Sequence, residues 1–81
     1  MNNHTITIIV KFFAALRQYG PAKDVLSIPE ASEIGFLFDK YKIPKNERRA
    51  IILVNGRPHK ELNTVLKDGD LVSIFPPIGG G

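Results

Sequence analysis

Only one stretch of this sequence repeats its apolar residues with the period of a helix. Ile34, Leu37, Phe38 and Tyr41 fall at i, i+3, i+4 and i+7, which lines up a single stripe on one helix face. Ser32 reads as the N-cap, Glu33 suits the positive end of the helix dipole, and Pro44 ends the segment. Gly35 costs the first turn about 1 kcal/mol relative to alanine, which implies close packing there. One helix with one stripe has one face to bury and needs one sheet to bury it against. A chain of 81 residues has room for that single core and no second one.

The rest of the pattern supplies the sheet. Ile6, Ile8, Val10 and Phe12 alternate with Thr5, Thr7 and Lys11, so Thr5 to Phe12 reads as a strand, with Ile9 marking a partly covered outer face. Gly20-Pro21 signals a turn, and Lys23 to Ile28 reads as an antiparallel neighbour stopped by Pro29. After the helix, Ala50 to Val54 reads as a buried strand, and Asn55-Gly56 is a strong hairpin signal. Arg57 to His59 returns briefly as an edge strand shortened by Pro58. Leu62, Val65 and Leu66 plug the core, Lys67-Asp68-Gly69-Asp70 turns, and Leu71 to Phe75 forms the last strand. This order fits an α+β, β-grasp (ubiquitin-like) architecture: a mixed sheet, first and last strands parallel at its centre, with one main helix packed across it. Residues 1–75 form the domain and 76–81 a flexible C-terminal tail.

Composition then removes function classes. With no cysteine there is no disulfide framework, thiolate metal site or cysteine nucleophile. The longest apolar runs, Phe12 to Leu16 and Ala50 to Val54, are far too short to span a membrane, and Met1-Asn2-Asn3-His4 lacks a secretory pattern, so a cytoplasmic protein is expected. A net charge of +3 is weak evidence for nucleic acid. The basic stretch Lys40, Lys42, Lys45, Arg48 and Arg49 has no interleaved aromatics and reads as a solvated helix end and loop. His4 and His59 lack acids at ligand or triad spacing and read as surface residues, while Asp68 and Asp70 read as turn residues. No metal site is expected.

The end of the sequence is different. Pro76 and Pro77 favour a stiff, extended exit from the sheet, followed by Ile78, Gly79, Gly80 and Gly81. Glycines without side chains can thread a narrow channel and present the Gly81 carboxyl to another protein's active site. A frayed or artificial chain end explains the same composition, and composition alone leaves both open. Ordering three glycines opposes binding by roughly 3–6 kcal/mol, so such a tail needs a docking surface on the domain body. Phe75, where strand meets tail, is the natural centre of that surface. A core role is the alternative for Phe75. Alternation groups it with Leu71 and Ser73 opposite Val72 and Ile74, and Ser73 favours the outer face.

Lys67-Asp68-Gly69-Asp70, an apolar strand, Phe75-Pro76-Pro77, two residues and Gly80-Gly81 together resemble the end of the MoaD/ThiS family of sulfur carriers. The Phe-Pro-Pro element is closer to the MoaD branch, the small subunit of molybdopterin synthase. Val10 to Arg17 is similar to the family's first strand and following turn, and Val54-Asn55-Gly56 to its central hairpin. Gly79 occupies the family's variable position before the terminal pair. The resemblance implies that an E1-like adenylyltransferase uses ATP and Mg²⁺ to adenylate the Gly81 carboxylate. A persulfide donor then converts it to a thiocarboxylate, and the tail enters the large subunit of molybdopterin synthase to deliver sulfur for molybdenum or tungsten cofactor synthesis. The chain itself binds no cofactor on this reading. By the same resemblance Arg17 and Pro58 match positions near the partner-binding surface, alongside Phe75, although Arg17 equally fits a solvated charge. Alternatives are a ubiquitin-like modifier conjugated through Gly81, a sulfur donor in thiamine, cysteine or tRNA thiolation, and a plain interaction module with an inert tail.

Overall fold

The structure is a computed structural model and describes residues 4–44, 50–59 and 61–77. The start Met1 to Asn3, the basic residues Lys45, Arg48 and Arg49, and the tail residues Ile78, Gly79, Gly80 and Gly81 lie outside the described residues.

Alternation in the first strand, β1 (Thr5–Phe12), sends Ile6, Ile8, Val10 and Phe12 into the core. A short 3-10 helix (Ala14–Gln18) follows, anchored by buried Leu16. The second strand, β2 (Asp24–Pro29), pairs antiparallel with β1. It starts one residue later than expected and includes the proline expected to stop it. Pro29 stands opposite Thr5, between the hydrogen-bonded positions, so its missing N–H costs the ladder nothing. After helix α1 (Ile34–Lys40) come β3 (Ile51–Val54), β4 (Arg57–His59) and β5 (Leu71–Phe75). The sheet order is β2-β1-β5-β3-β4, with β1 and β5 parallel at the centre.

A helix of seven residues has no stability of its own and depends on the face it buries. Ile34, Leu37 and Phe38 are fully buried, each contributing about 1.5–3 kcal/mol of transfer free energy. The N-cap position belongs to Glu33 rather than Ser32, and no side chain caps it. Ser32 Oγ instead donates to the Pro29 carbonyl at 2.6 Å. The amides that Ser32 was expected to satisfy are taken by distant backbone: Ile34 N–H donates to Thr64 O at 3.0 Å and Gly35 N–H to Leu62 O at 2.7 Å. Close approach at Gly35 is therefore real, since a Cβ there would lie 3.4 Å from the Leu62 carbonyl oxygen. The segment from Leu62 to Leu66 caps the helix as well as plugging the core. Leu66 is buried and Leu62 packs on the core, but Val65, bridged to Glu33, points outward and is 49% exposed. The helix ends at Lys40, before Pro44, where Lys42 takes a left-handed conformation.

Asn55 (φ 53°) and Gly56 (φ 82°) form the tight turn of the β3–β4 hairpin. Asn55 also reaches Asp70: Asn55 Nδ2 donates to Asp70 Oδ1 at 2.8 Å, while Leu71 N–H donates to Asn55 Oδ1 at 2.9 Å. Asp70 Oδ2 accepts from Lys67 N–H, and Asp68 Oδ1 accepts from Thr7 N–H. These two carboxylates therefore fix turns to the sheet. Among the described residues no helix is long and apolar enough to cross a membrane.

Candidate functional site

The helix covers one face of the sheet. The other has no second layer among the described elements, yet it is largely apolar. Residues paired directly across strands project to the same side. Lys11, Ser73, Leu53 and Pro58 thus form one row across β1, β5, β3 and β4. Val25, Ile9 and Leu71 form a second row, and Phe75 with Ile51 a third. Ile9, Ile51, Leu53, Leu71 and Phe75 are half-buried, and Pro58 is exposed.

Phe75 lies on this open face, as its alternation with Ser73 implied. Its ring stacks on Phe13, centroids 4.2 Å apart and 12° between planes. Phe13 N–H donates to Ile74 O, which extends the β1–β5 ladder by one step and holds the two rings level. Phe13 continues into a groove at this end of the sheet lined by Lys11, Ala14, Arg17, Ala22 and Lys23. Ala14 takes φ 54° there, a conformation disfavoured for a residue with a Cβ, and turns the chain from β1 into the 3-10 helix that carries Arg17. The stacked phenylalanines therefore connect the Arg17 groove to the start of the tail at Pro76 and Pro77. Pro58 joins the same face from its far edge.

The site is wider than the sequence reading allowed. Phe13, Lys11, Lys23 and Leu53 belong to it and were not singled out. Leu53 could have been found from the alternation of β3, in which Ile52 and Val54 face the core. Phe13 and Lys23 enter only through the 3-10 turn, which leaves no periodic trace. The catalytic position expected at Gly81, with Ile78, Gly79 and Gly80 before it, lies outside the described residues. Among the described residues no cluster of three His, Asp or Glu side chains could hold a metal ion. One titratable group among the described residues is strongly perturbed, and it lies away from the open face. Tyr41 Oη donates to Asp24 Oδ2 at 2.8 Å, and burial, then the Asp24 hydrogen bond and charge, push the phenol above its ordinary range.

A mixed five-stranded sheet with a parallel central pair and one helix across it is the β-grasp fold. It defines here a small ubiquitin-like protein whose last strand runs out beside an apolar face. The ThiS family model matches residues 10–81, and the chain belongs to the ThiS family. Among solved structures, it is similar to a putative molybdopterin converting factor subunit 1 from Pyrococcus furiosus, at 29% identity and TM-score 0.71 over 90% of this chain and 99% of that one. Small archaeal modifier protein 1 of Methanosarcina acetivorans matches at 30% identity and TM-score 0.66, covering 96% and 99%. A complex of subunits 1 and 2 of the molybdopterin-converting factor from Helicobacter pylori contains a chain matching at 25% identity and TM-score 0.63, covering 94% and 100%. No curated protein matches the chain.

Proposed function

We propose that the chain is a sulfur carrier that acts as the small subunit of a molybdopterin synthase, with the Gly81 carboxyl as its reactive group. The observation that carries this reading is the continuity between an apolar docking face and the tail's point of departure. The Phe13–Phe75 stack ends that face where Pro76 and Pro77 lead away from β5. A partner seated on Phe75, Leu53 and Pro58 therefore meets the tail at its own margin. Binding energy from the apolar face offsets the cost of ordering the glycines, which the tail cannot recover through its own backbone hydrogen bonds.

The chemistry belongs to the partners. An E1-like adenylyltransferase would join the Gly81 carboxylate to AMP, releasing pyrophosphate from ATP with Mg²⁺. The mixed anhydride makes a poor electrophile reactive, and the terminal sulfur of a persulfide displaces AMP. Thiol reduction of the resulting acyl disulfide leaves the thiocarboxylate, which the large subunit receives. The Helicobacter pylori complex, containing subunits 1 and 2, supports a large-subunit partner.

Intact-mass analysis of the chain after incubation with its E1-like enzyme, ATP, Mg²⁺ and a persulfide donor tests the proposal. A mass gain matching one oxygen replaced by sulfur at Gly81, abolished by removing Gly80-Gly81, is the expected outcome. An unchanged carboxylate sinks it. A second reading, protein modification, is favoured by the likeness to small archaeal modifier protein 1. Gly81 found in isopeptide linkage to lysines of other proteins would select it.

A further inference from the structure

The two edges of the sheet are protected very differently. The β4 edge is three residues long, carries Arg57, and has Pro58 at its middle, where no N–H is available. The β2 edge runs for six residues, holds no Lys or Arg, and reaches a proline only at its end.

Hydrogen-bond phase shows what that edge offers. Glu30 N–H donates to His4 O, and Ile9 N–H and Phe13 N–H donate to Asp70 O and Ile74 O on β5. Odd-numbered residues of β1 therefore face β5, and even-numbered ones face β2. In the antiparallel register, Ile6 and Ile8 pair with Ile28 and Leu26, which use their backbone groups inward. Val25 and Ser27 alternate with these, so their N–H and C=O groups point outward, with no partner among the described residues. Their side chains lie on the open face, because Val25 stands opposite Ile9 and Ser27 opposite Thr7. Val25 is 59% exposed. A strand added here would lay its own side chains beside Val25 and widen the apolar face.

Charge defines the occupant further. Immediately before β2, Lys23 shares a groove with Lys11 and Arg17. None of the three is held in an ion pair among the described residues. Three cations lining one groove at the end of an open apolar edge, with no ion pair among the described residues, suit an extended segment whose apolar centre is flanked by carboxylates. A second copy of the chain fits less well. Pairing β2 with itself buries one short strand on each side, well below the roughly 1,000 Å² expected of a stable interface.

We infer that the β2 edge is a strand-addition site for a partner protein's extended segment, apolar at its centre and acidic at its flank. This site goes beyond the carrier reading and does not depend on the tail. It lies on the far side of β1 from β5 and shares with the candidate docking face only the groove of Lys11, Arg17 and Lys23, so a partner held there leaves the Pro76-Pro77 exit itself uncovered.

The test is a titration of the isotopically labelled full chain, followed by amide NMR. The probe is a synthetic peptide of four alternating valines and isoleucines with two aspartates at each end. Its control carries lysines in place of the aspartates. Val25 and Ser27 amides should shift and gain exchange protection, while Leu26 and Ile28, already bonded to β1, change little. The aspartate probe should bind about tenfold more tightly than the lysine control, as a few exposed ion pairs supply. Ser27→Pro removes an outward N–H that β1 does not use and should weaken binding at least tenfold. Val25→Asp should do the same through an exposed side chain, covering the case in which Ser27→Pro fails to fold. A chain truncated before Ile78 should bind like the parent. Equal binding of both peptides, shifts centred on Leu53 and Phe75, unimpaired binding by Val25→Asp, probe-independent β2 self-association, or no binding at millimolar peptide would each overturn the assignment.

Discussion

On the helix side of the sheet, Ile8, Val10, Val72 and Ile74 are fully buried. Alternating with them on the same strands, Ile9, Lys11, Leu71 and Phe75 are half-buried, with no second layer of helix or sheet over them among the described residues. The apolar content of the two faces differs far less than their surroundings do. Stability is concentrated where α1 closes the core, and the opposite face keeps apolar surface that folding does not use. Apolar surface retained in this way is the mark of an interaction site, because a chain under no such demand would place polar residues there.

The sharpest break of this contrast comes from truncating one phenylalanine on each side. Phe38→Ala, in the core under the helix, should cost about 3–5 kcal/mol by chemical denaturation. Phe75→Ala should cost less, about 1–2.5 kcal/mol for one stacked pair and a half-buried ring, while impairing partner binding. Equal destabilisation by both would erase the distinction between the faces.

A smaller effect probes how tightly the inner face closes at its rim. A Cβ on Gly20 would fall 2.3 Å from the Phe12 ring, which is itself 1% exposed. Gly20→Ala should therefore destabilise by about 1–3 kcal/mol through overpacking, read from the urea midpoint. A neutral result would mean that Phe12 has room to turn aside.

The smallest expected change concerns the bond tying the end of α1 to β2. Tyr41→Phe removes the hydrogen bond to Asp24 and should cost about 0.5–1.5 kcal/mol. The folded-state phenol is raised above its usual value of 10.0. Its contribution is fully present below that pH and is lost as pH rises, because the unfolded tyrosine ionises first. The parent should therefore lose stability above about pH 10 more steeply than Tyr41→Phe, measured by denaturation across that range.

Much of the architecture was legible because it is written in short-range pattern. Period two in Ile6 to Phe12, period 3.6 in Ile34 to Tyr41, and the Asn55-Gly56 pair each specify an element within a few residues. The face of Phe75 followed from Ser73 by the same logic. What escaped depends on contacts between distant parts of the chain. Ser32 looked like a cap because no local reading can reveal that Leu62 and Thr64 supply carbonyls to the helix start. Val65 looked like core until its bridge to Glu33 turned it outward. Gly20 read as a turn residue, and its confinement by the Phe12 ring appears only in three dimensions. The Arg17 groove required the left-handed Ala14, for which an alanine gives no warning. The role proposed for the glycine tail rests on composition and position alone, because Ile78 to Gly81 lie outside the described residues.

The placement of β5 has a mechanical consequence. The strand that leads into Pro76 and Pro77 is held by β1 on one flank and β3 on the other. Tension applied along the tail runs down the axis of β5 and loads both ladders in shear, many bonds at once. An edge strand pulled the same way has only one ladder to resist with. On the proposed carrier function, a partner drawing on the chain's end would therefore pull against both ladders at once and leave the domain behind it intact.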